Sequence, residues 1–296
     1  MSYILGIDIG ATKIAAGLVI GDEVFKSIKL PTQAHMGEKH FIANIFKVIK
    51  IFDNPKIKAI GIGIAGGVDA KKGILVASPN MPQKFKNIPL RQMVSKTFKK
   101  EVAIDNDAHC FALAESVYGA GKNYQYVIGV TIGTGVGGGI VINKKIYHGR
   151  SGLAGELGHM TIVENGLPCS CGNTGHLEVY ASGTAMGTLY KRFTGKIKDA
   201  FYVEEQAYKG DKNALRVVKI MNETLGIGLA NIINILNPDI IVIGGGLAHV
   251  TMIWHEAVKI AKKNVIYPAL KDVKIVQSKL DKMAGILGAA LLTQNI

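Results

Sequence analysis

One unit of this chain occurs twice, 123 residues apart. Tyr3-Ile4-Leu5-Gly6-Ile7-Asp8-Ile9-Gly10 is an apolar, strand-like run with a single acid. It is followed by the tight turn Gly10-Ala11-Thr12-Lys13 and a second apolar run from Ile14 to Ile20. Val127-Ile128-Gly129-Val130-Thr131-Ile132-Gly133-Thr134-Gly135 repeats the first run and its turn. Gly139 to Ile142 repeats the second run, and Gly6 and Gly10 fall on Gly129 and Gly133. A repeat of strand, Gly-polar turn and strand implies two copies of one hairpin unit. Two such units facing each other predict a cleft with a phosphate-binding hairpin on each wall. The amides of Gly10 to Lys13 and the Thr12 hydroxyl suit phosphate oxygens, and Asp8 suits a metal-bound water. An ordinary turn acid is the alternative reading of Asp8. Gly137 to Gly139 allow the second backbone close to a ligand.

Between the hairpins, a helical stretch from Gly37 to Phe52 precedes the buried strand Ala59 to Ala65, which ends in Gly66-Gly67-Val68-Asp69. This alternation predicts an α/β fold, a mixed sheet with helices on its faces. Ser78-Pro79-Asn80-Met81-Pro82 reads as a loop in which Asn80 is either a sugar ligand or part of a plain turn. A chain of 296 residues exceeds one ordinary core and predicts two domains. The first ends near Asp107.

That boundary holds the most informative stretch, Ala103-Ile104-Asp105-Asn106-Asp107-Ala108-His109-Cys110. An apolar run, Val102 to Ile104, delivers three polar residues to the start of a helix whose stripe is Ala108, Phe111, Ala112, Glu115 and Val117. Only one of Asp105, Asn106 and Asp107 can act as its N-cap, so the others need another role. Asp107 is placed to take a proton from a sugar hydroxyl and Asn106 to hold that sugar.

A second block, Gly155-Glu156-Leu157-Gly158-His159 and Cys169-Ser170-Cys171-Gly172-Asn173-Thr174-Gly175-His176-Leu177-Glu178, gathers four potential zinc ligands: His159, Cys169, Cys171 and His176. A Cys2His2 set fills every position of zinc's tetrahedron, which makes the site structural. Reduced cysteines beside loop histidines are the alternative. Glu156 and Glu178 flank the candidate ligands, and carboxylates accept well from vicinal sugar hydroxyls. The three cysteines, two of them in Cys-x-Cys, read as a cytoplasmic metal site rather than a disulfide framework.

The net charge of +13 comes from scattered residues, with no basic run longer than a pair such as Lys99-Lys100. It reads as solvated surface, with attraction of an anionic nucleotide as a secondary effect and no nucleic acid. Met1-Ser2-Tyr3 runs straight into a strand, so no signal peptide is expected. The most apolar region, Leu225 to Leu247, is broken by Asn231, Asn234, Asn237, Pro238 and Asp239, which argues against a membrane span.

Further helices are expected from Ser182 to Phe193, from Val203 to Tyr208 and from Asp211, as cap, to Leu236. Gly226 and Gly228 in the last predict close packing against a neighbour or a nucleotide. Ile240 to Ile243 is a buried strand. Gly244-Gly245-Gly246 is expected to open the next helix and offer amides to a nucleotide. It is not GxGxxG, so a dinucleotide site is the poorer reading. Ala284 to Leu292 is a small-residue helix suited to tight packing across the domain junction.

Taken together, Asp8-Ile9-Gly10-Ala11-Thr12-Lys13, Asn106-Asp107, Gly133-Thr134-Gly135, Glu156-x-Gly158-His159, Cys169-x-Cys171-Gly172, Glu178 and Gly244-Gly245-Gly246 resemble the ROK family of sugar kinases and sugar-responsive repressors over essentially the whole chain. The resemblance implies the two-domain, actin-like (ribonuclease-H-like) ATPase fold with a cleft between the domains. Residues 1–107 would form the N-terminal domain, with a C-terminal helix at about 284–296 packing back on it, and residues 108–283 the C-terminal domain with the zinc loop. It implies Asp107 as catalytic base and Asn106, Asp107, Glu156, His159 and Glu178 as sugar ligands. Asp8, Gly10, Thr12, Lys13, Gly133 and Thr134 would serve the phosphates, and Gly244, Gly245 and Gly246 would pack near adenosine. His159 would carry zinc on one ring nitrogen and face a sugar hydroxyl with the other. The family's usual third zinc cysteine is His176 here.

The implied activity is transfer of the γ-phosphoryl group of ATP, with Mg2+ and structural Zn2+, to a hexose, glucose first, by a cytoplasmic homodimer. N-acetylmannosamine, N-acetylglucosamine and fructose kinases are enzyme alternatives. A sugar-sensing regulator is the non-enzyme alternative, disfavoured by a chain that starts at the first hairpin.

Overall fold

The computed structural model describes residues 2–78, 81 and 85–295. Asn80 lies outside them. The chain forms two compact units, residues 1–123, 139–155 and 279–296 in the first and residues 124–138 and 156–278 in the second.

In chain order the elements begin with β1 (Tyr3–Ile9), β2 (Lys13–Ile20), β3 (Glu23–Pro31), α1 (Glu38–Phe52) and β4 (Ile57–Ile64). Then come β5 (Gly67–Asp69), β6 (Ile74–Ala77), β7 (Lys86–Ile88), α2 (Leu90–Phe98), β8 (Glu101–Asn106) and α3 (Asp107–Val117). The repeat follows as β9 (Tyr126–Ile132), β10 (Val136–Ile142) and β11 (Lys145–Ile146). The chain ends with α4 (Gly183–Thr194), α5 (Ala200–Tyr208), α6 (Lys212–Leu236), β12 (Ile240–Gly244), α7 (His255–Asn264), β13 (Lys274–Gln277) and α8 (Ala284–Leu291).

The two large sheets have the same order, β3-β2-β1-β4-β8 and β11-β10-β9-β12-β13. In each, a hairpin strand is flanked by a parallel strand on its far side, β4 beside β1 and β12 beside β9. This is the duplication expected from the glycine spacing. β3 follows β2 through Gly21-Asp22, a hairpin turn signal that the sequence does carry. Its Lys26, Ser27 and Lys29 face solvent on an edge strand, so it carries no apolar run to betray it.

A row of small residues crosses the first sheet at one register: Gly17, Gly6, Gly61 and Ala103. α8 lies on that row with its backbone almost touching. A Cβ on Gly6 would sit 2.1 Å from the Ile286 carbonyl oxygen and one on Gly61 1.8 Å from that of Ala289. Gly288 in turn brings α8 onto α3, where a Cβ would lie 1.9 Å from the Cys110 carbonyl oxygen. The helix expected to be small-faced is therefore seated backbone to backbone. α3 is buried all round from Ala108 to Ser116, rather than along the single stripe expected.

On the opposite side of the first sheet, Phe41, Ile45, Val48 and Ile49 of α1 fill a core with Leu5, Ile7, Ile9, Ile60, Ile62 and Ile64. In the second unit, Asp211 caps α6 by accepting from the Ala214 amide at 2.8 Å. The glycines within α6 admit neighbours rather than a nucleotide: Gly226 faces Ile260 and Ala257 of α7, and Gly228 faces Leu177. Among the described residues no helix is long and apolar enough to cross a membrane.

Candidate active site

Two register rows past the small-residue row, Asp8, Gly63 and Asp105 stand side by side on β1, β4 and β8. Gly63 makes room for the start of α3, since a Cβ there would meet Cys110 Sγ at 2.9 Å and lie 3.6 Å from Asp107 Cα. Gly285 of α8 does the same for Asp8, whose Oδ2 is 2.5 Å from where a Cβ would be. The missing side chains at Gly63 and Gly285 thus bring Asp107 and Asp8 into one electrostatic neighbourhood. Burial pushes the Asp107 carboxyl up to about 7, the charge of Asp8 adds to the rise, and the Ala108 amide and His109 oppose it. Burial likewise pushes Asp8 up to about 6, against Lys13 and Lys29. A carboxylate near 7 is matched to accepting a proton at neutral pH.

The three polar residues before α3 divide their work. Asn106 is the N-cap: its Oδ1 accepts from the amides of Ala108 at 2.8 Å and His109 at 3.2 Å. Its Nδ2 donates to the Gly66 carbonyl at 2.9 Å. The side chain keeps one N–H for a ligand and no free carbonyl. Asp107, in the first turn, accepts from the Ala108 amide at 2.9 Å. Asp105 turns inward, and sequence reasoning gave it no partner. It binds His109 Nδ1 at 2.8 Å and His148 Nε2 at 2.6 Å. Its i,i+4 spacing to His109 across the strand–helix junction was the available signal; His148, far along the chain, gave none.

The first turn, Gly10 to Lys13, closes with a Gly10 N–H bond to the Lys13 carbonyl at 2.9 Å and leaves Thr12 and Lys13 exposed. Its counterpart closes from Gly133 N–H to the Gly135 carbonyl at 2.9 Å, with Thr134 exposed and open space where a Gly133 Cβ would be. The start of α4 sits on this second turn, Gly183 N–H donating to the Gly133 carbonyl at 2.7 Å.

The glycine run departs from expectation. Gly244 ends β12, Gly245 takes φ +86° and the chain turns back, so that the next α-helix begins only at His255. The cause is close packing: a Cβ on Gly245 would lie 2.5 Å from the Ile132 carbonyl oxygen, which also accepts from the Leu247 amide at 2.9 Å. Gly246 is exposed with nothing within 4 Å of a Cβ position, so it is the member of the three with room for a ligand.

The second block folds into a knot of turns. Gly172 and Gly175 take φ +104° and +73°, and Cys169 N–H donates to the Asn173 carbonyl at 2.8 Å. One donor atom from each of His159, Cys169, Cys171 and His176 lies within 4.8 Å of the other three. His159 Nδ1 is 3.2 Å from His176 Nδ1 and 3.7 Å from Cys169 Sγ, and Cys171 Sγ is 3.4 Å from His176 Nδ1. A zinc tetrahedron has edges of about 3.3 Å between nitrogens and about 3.6 Å between nitrogen and sulfur. The residues present, His176 included, fit that ion. Glu178 is buried, with Oε1 3.2 Å from Cys169 Sγ and 3.8 Å from His159 Nδ1. Exposed Glu156 places Oε2 3.9 Å from His159 Nε2, the ring nitrogen turned away from the other donors.

Comparison with known proteins gives the family and the fold. The chain matches the ROK family over residues 4–296 and belongs to it. Its two sheets of like order are the actin-like ATPase fold of that family. It is 33% identical to a glucokinase of Thermotoga maritima, covering 99% of this chain and 97% of that one. It is 32% identical to an N-acetyl-D-glucosamine kinase of Mannheimia succiniciproducens, covering 97% and 98%. A ROK glucokinase of Streptomyces griseus, solved with glucose and AMPPNP, superposes with a TM-score of 0.89 at 29% identity over 100% of both chains. A ROK transcriptional regulator, homolog of the E. coli MLC protein, superposes with a TM-score of 0.84 at 26% identity over 99% of this chain and 78% of that one.

Proposed function

We propose that this protein is an ATP-dependent hexose kinase that moves the γ-phosphoryl group of Mg-ATP to a sugar hydroxyl, with glucose as first substrate and glucose 6-phosphate as product. The observation that carries the reading is Asp107: a carboxylate pushed up to about 7, at the head of a buried helix and beside Asp8 at the first glycine turn. Phosphoryl transfer asks for in-line positioning and charge neutralisation more than covalent chemistry. Asp107 accepts the proton of the attacking hydroxyl, a contribution of about 10²- to 10⁴-fold. Asn106 offers its remaining N–H to the sugar. Glu156, Glu178 and His159 Nε2 take further hydroxyls.

Gly10, Thr12, Lys13, Gly133 and Thr134 bind the phosphates, and Asp8 orients a water of the accompanying Mg2+. Gly244 to Gly246 serve the adenosine, chiefly through the open side of Gly246. Zinc, when bound by His159, Cys169, Cys171 and His176, holds the loop closed and its thiols ionised. The protein then keeps Glu178 and the His159 ring in fixed orientation.

A second reading, an N-acetylglucosamine kinase, is favoured by the relative with that activity. It differs only in the sugar's 2-substituent. ADP release measured against glucose, mannose, fructose, N-acetylglucosamine and N-acetylmannosamine decides between them. Turnover with none of the five overturns the kinase reading. Asp107→Asn is expected to bind the preferred sugar with near-normal affinity and to lose at least about 10²-fold in kcat. Normal turnover in that variant removes Asp107 as base.

A further inference from the structure

The Asp105–His109–His148 cluster has no place in the chemistry above, yet short polar contacts join its three members and tie it to the Ala154 carbonyl. His109 and Asp105 are buried, at 3% and 1% exposure. The two ring nitrogens of His109 both face acceptors: Nδ1 lies 2.8 Å from Asp105 Oδ1 and Nε2 lies 2.7 Å from the Ala154 carbonyl oxygen. A carbonyl only accepts, so Nε2 carries a proton. A neutral ring would then turn the Nδ1 lone pair on a carboxylate oxygen, which is repulsive at that distance. Asp105 acts as an acceptor at Oδ1, which takes the Asn106 amide at 2.7 Å, while Oδ2 lies 2.6 Å from His148 Nε2. The arrangement that satisfies these contacts is a carboxylate at Asp105 and a ring protonated on both nitrogens at His109.

We propose that His109 is a buried imidazolium and a positioning residue for phosphoryl transfer, paired with Asp105, pinning residues 148–154 to the head of α3 and placing one fixed positive charge beside the base Asp107. The proposal rests on the kinase reading for its consequence but not for its charge state.

Three pieces of chain meet in this cluster. Asp105 and its bond to the Asn106 amide fix the end of β8. His109 fixes the first turn of α3. Ala154 and His148 fix the segment between them, which is tied to itself by the Ala154 amide donating to the His148 carbonyl at 3.2 Å. Glu156 follows two residues after Ala154 in the sequence.

Around His109, β8 contributes Asp105, the 148–154 segment contributes His148, its own helix contributes Asp107, and β1 contributes Asp8 beside Asp107. The Cys110 thiol, pushed well above its ordinary range by burial, stays neutral. α8, packed on this helix, is AGILGAAL and brings no charge. For Asp105, burial alone would raise the carboxyl; the bonds from His109 and His148 outweigh it and hold it below the ordinary range. For Asp107, the positive ring at His109 opposes the rise caused by burial and Asp8.

The test has two arms. Full-length protein labelled with ¹⁵N-histidine, in chelator-treated buffer at pH 7.5, is read for the His109 ring, assigned by its loss in His109→Asn. The expected result is two protonated ring nitrogens with couplings to both ring carbons. A neutral single tautomer, or a signal that appears only on adding Zn2+, overturns the proposal, the latter by making the cluster a metal site. In Asp105→Asn the same ring is expected to lose one proton above neutral pH; an unchanged spectrum overturns the pairing.

The second arm is kinetic. His109→Asn removes the positive charge, so the acid limb of kcat/KM should move up by about one pH unit, with much of the activity regained at higher pH. A uniform loss with no shift of the limb reduces His109 to a packing role and overturns the positioning claim. The spectrum needs neither sugar nor nucleotide. A wild-type protein that phosphorylates no hexose therefore ends the kinase reading and with it the positioning role, while the charge pair is still decided by the spectrum.

Discussion

At the scale of single residues, the site depends on an acid kept away from its ordinary ionisation. Asp107, pushed up to about 7 chiefly by burial and then by Asp8, is largely protonated at pH 5 and largely ionised at pH 9. Only the ionised form accepts a proton, so kcat/KM for the sugar should rise tenfold per unit below about pH 7 and level off above it. A profile flat from pH 5 to 9 would show that Asp107 does not titrate as the base. The same shift has a stability consequence of definite sign. The folded state holds its proton more tightly than the unfolded chain, so the contribution is favourable at low pH. It is lost as pH rises from about 4 through about 7. Asp107→Asn removes that dependence. It should be more stable than the parent at pH 8 by an amount on the order of 2–4 kcal/mol, and so unfold at a higher temperature, with no such advantage at pH 4. Thermal melts of both proteins at the two pH values check this.

At the scale of elements, the framework is set by where side chains are missing. Gly6, Gly61 and Gly288 let α8 lie backbone to backbone on β1, β4 and α3, and the atoms a Cβ would strike are carbonyl oxygens held in helical hydrogen bonds. Such atoms cannot step aside as a side-chain tip does. Gly61→Ala or Gly288→Ala should therefore destabilise by about 1–3 kcal/mol or more, while Gly246→Ala, facing open space, changes stability little. Urea titrations of the three variants read this directly. The loop of His159, Cys169, Cys171 and His176 is an element of another sort, which under the proposed function is stabilised by zinc ligation instead of core. Chelation, or Cys171→Ser, should weaken sugar affinity at least tenfold and leave nucleotide affinity within about twofold. Calorimetric titration with each ligand, alongside measured zinc content, tests it; sugar affinity unchanged after verified zinc loss would detach the loop from the sugar. These elements also show what could be read from the chain beforehand. The hairpins were legible because glycine spacing is a backbone property that repeats with the fold, and the four metal donors because their chemistry sits close in sequence. Of β3 only the Gly21-Asp22 turn was legible, since its solvent-facing lysines leave no apolar run. The turn after β12 was hidden because three glycines fit a helix start and a reversal equally well, and only the approach to Ile132 decides. The pairing of Asp105 with His148 depends on tertiary structure and left no local trace.

At the scale of the whole molecule, the +13 net charge is the property no single element accounts for. Its lysines and arginines are spread along the sequence rather than run together, and Lys13, at the end of the first glycine turn, is exposed. A field of this kind acts on a ligand according to its charge. ATP with Mg2+ keeps a net negative charge and is drawn in, whereas a hexose feels nothing. Screening distinguishes them, because the Debye length shrinks from about 14 Å near 0.05 M salt to about 4 Å near 0.5 M. KM for ATP should therefore rise several-fold over that range while KM for the sugar stays within about twofold, and kcat, set by groups in contact with the reacting atoms, should change little. Steady-state kinetics at fixed pH with a weakly binding salt such as potassium acetate measure all three. Equal rises in both KM values would mean that salt acts on the protein's structure rather than on nucleotide attraction. No rise in either would reduce the excess of lysine to a matter of solubility alone.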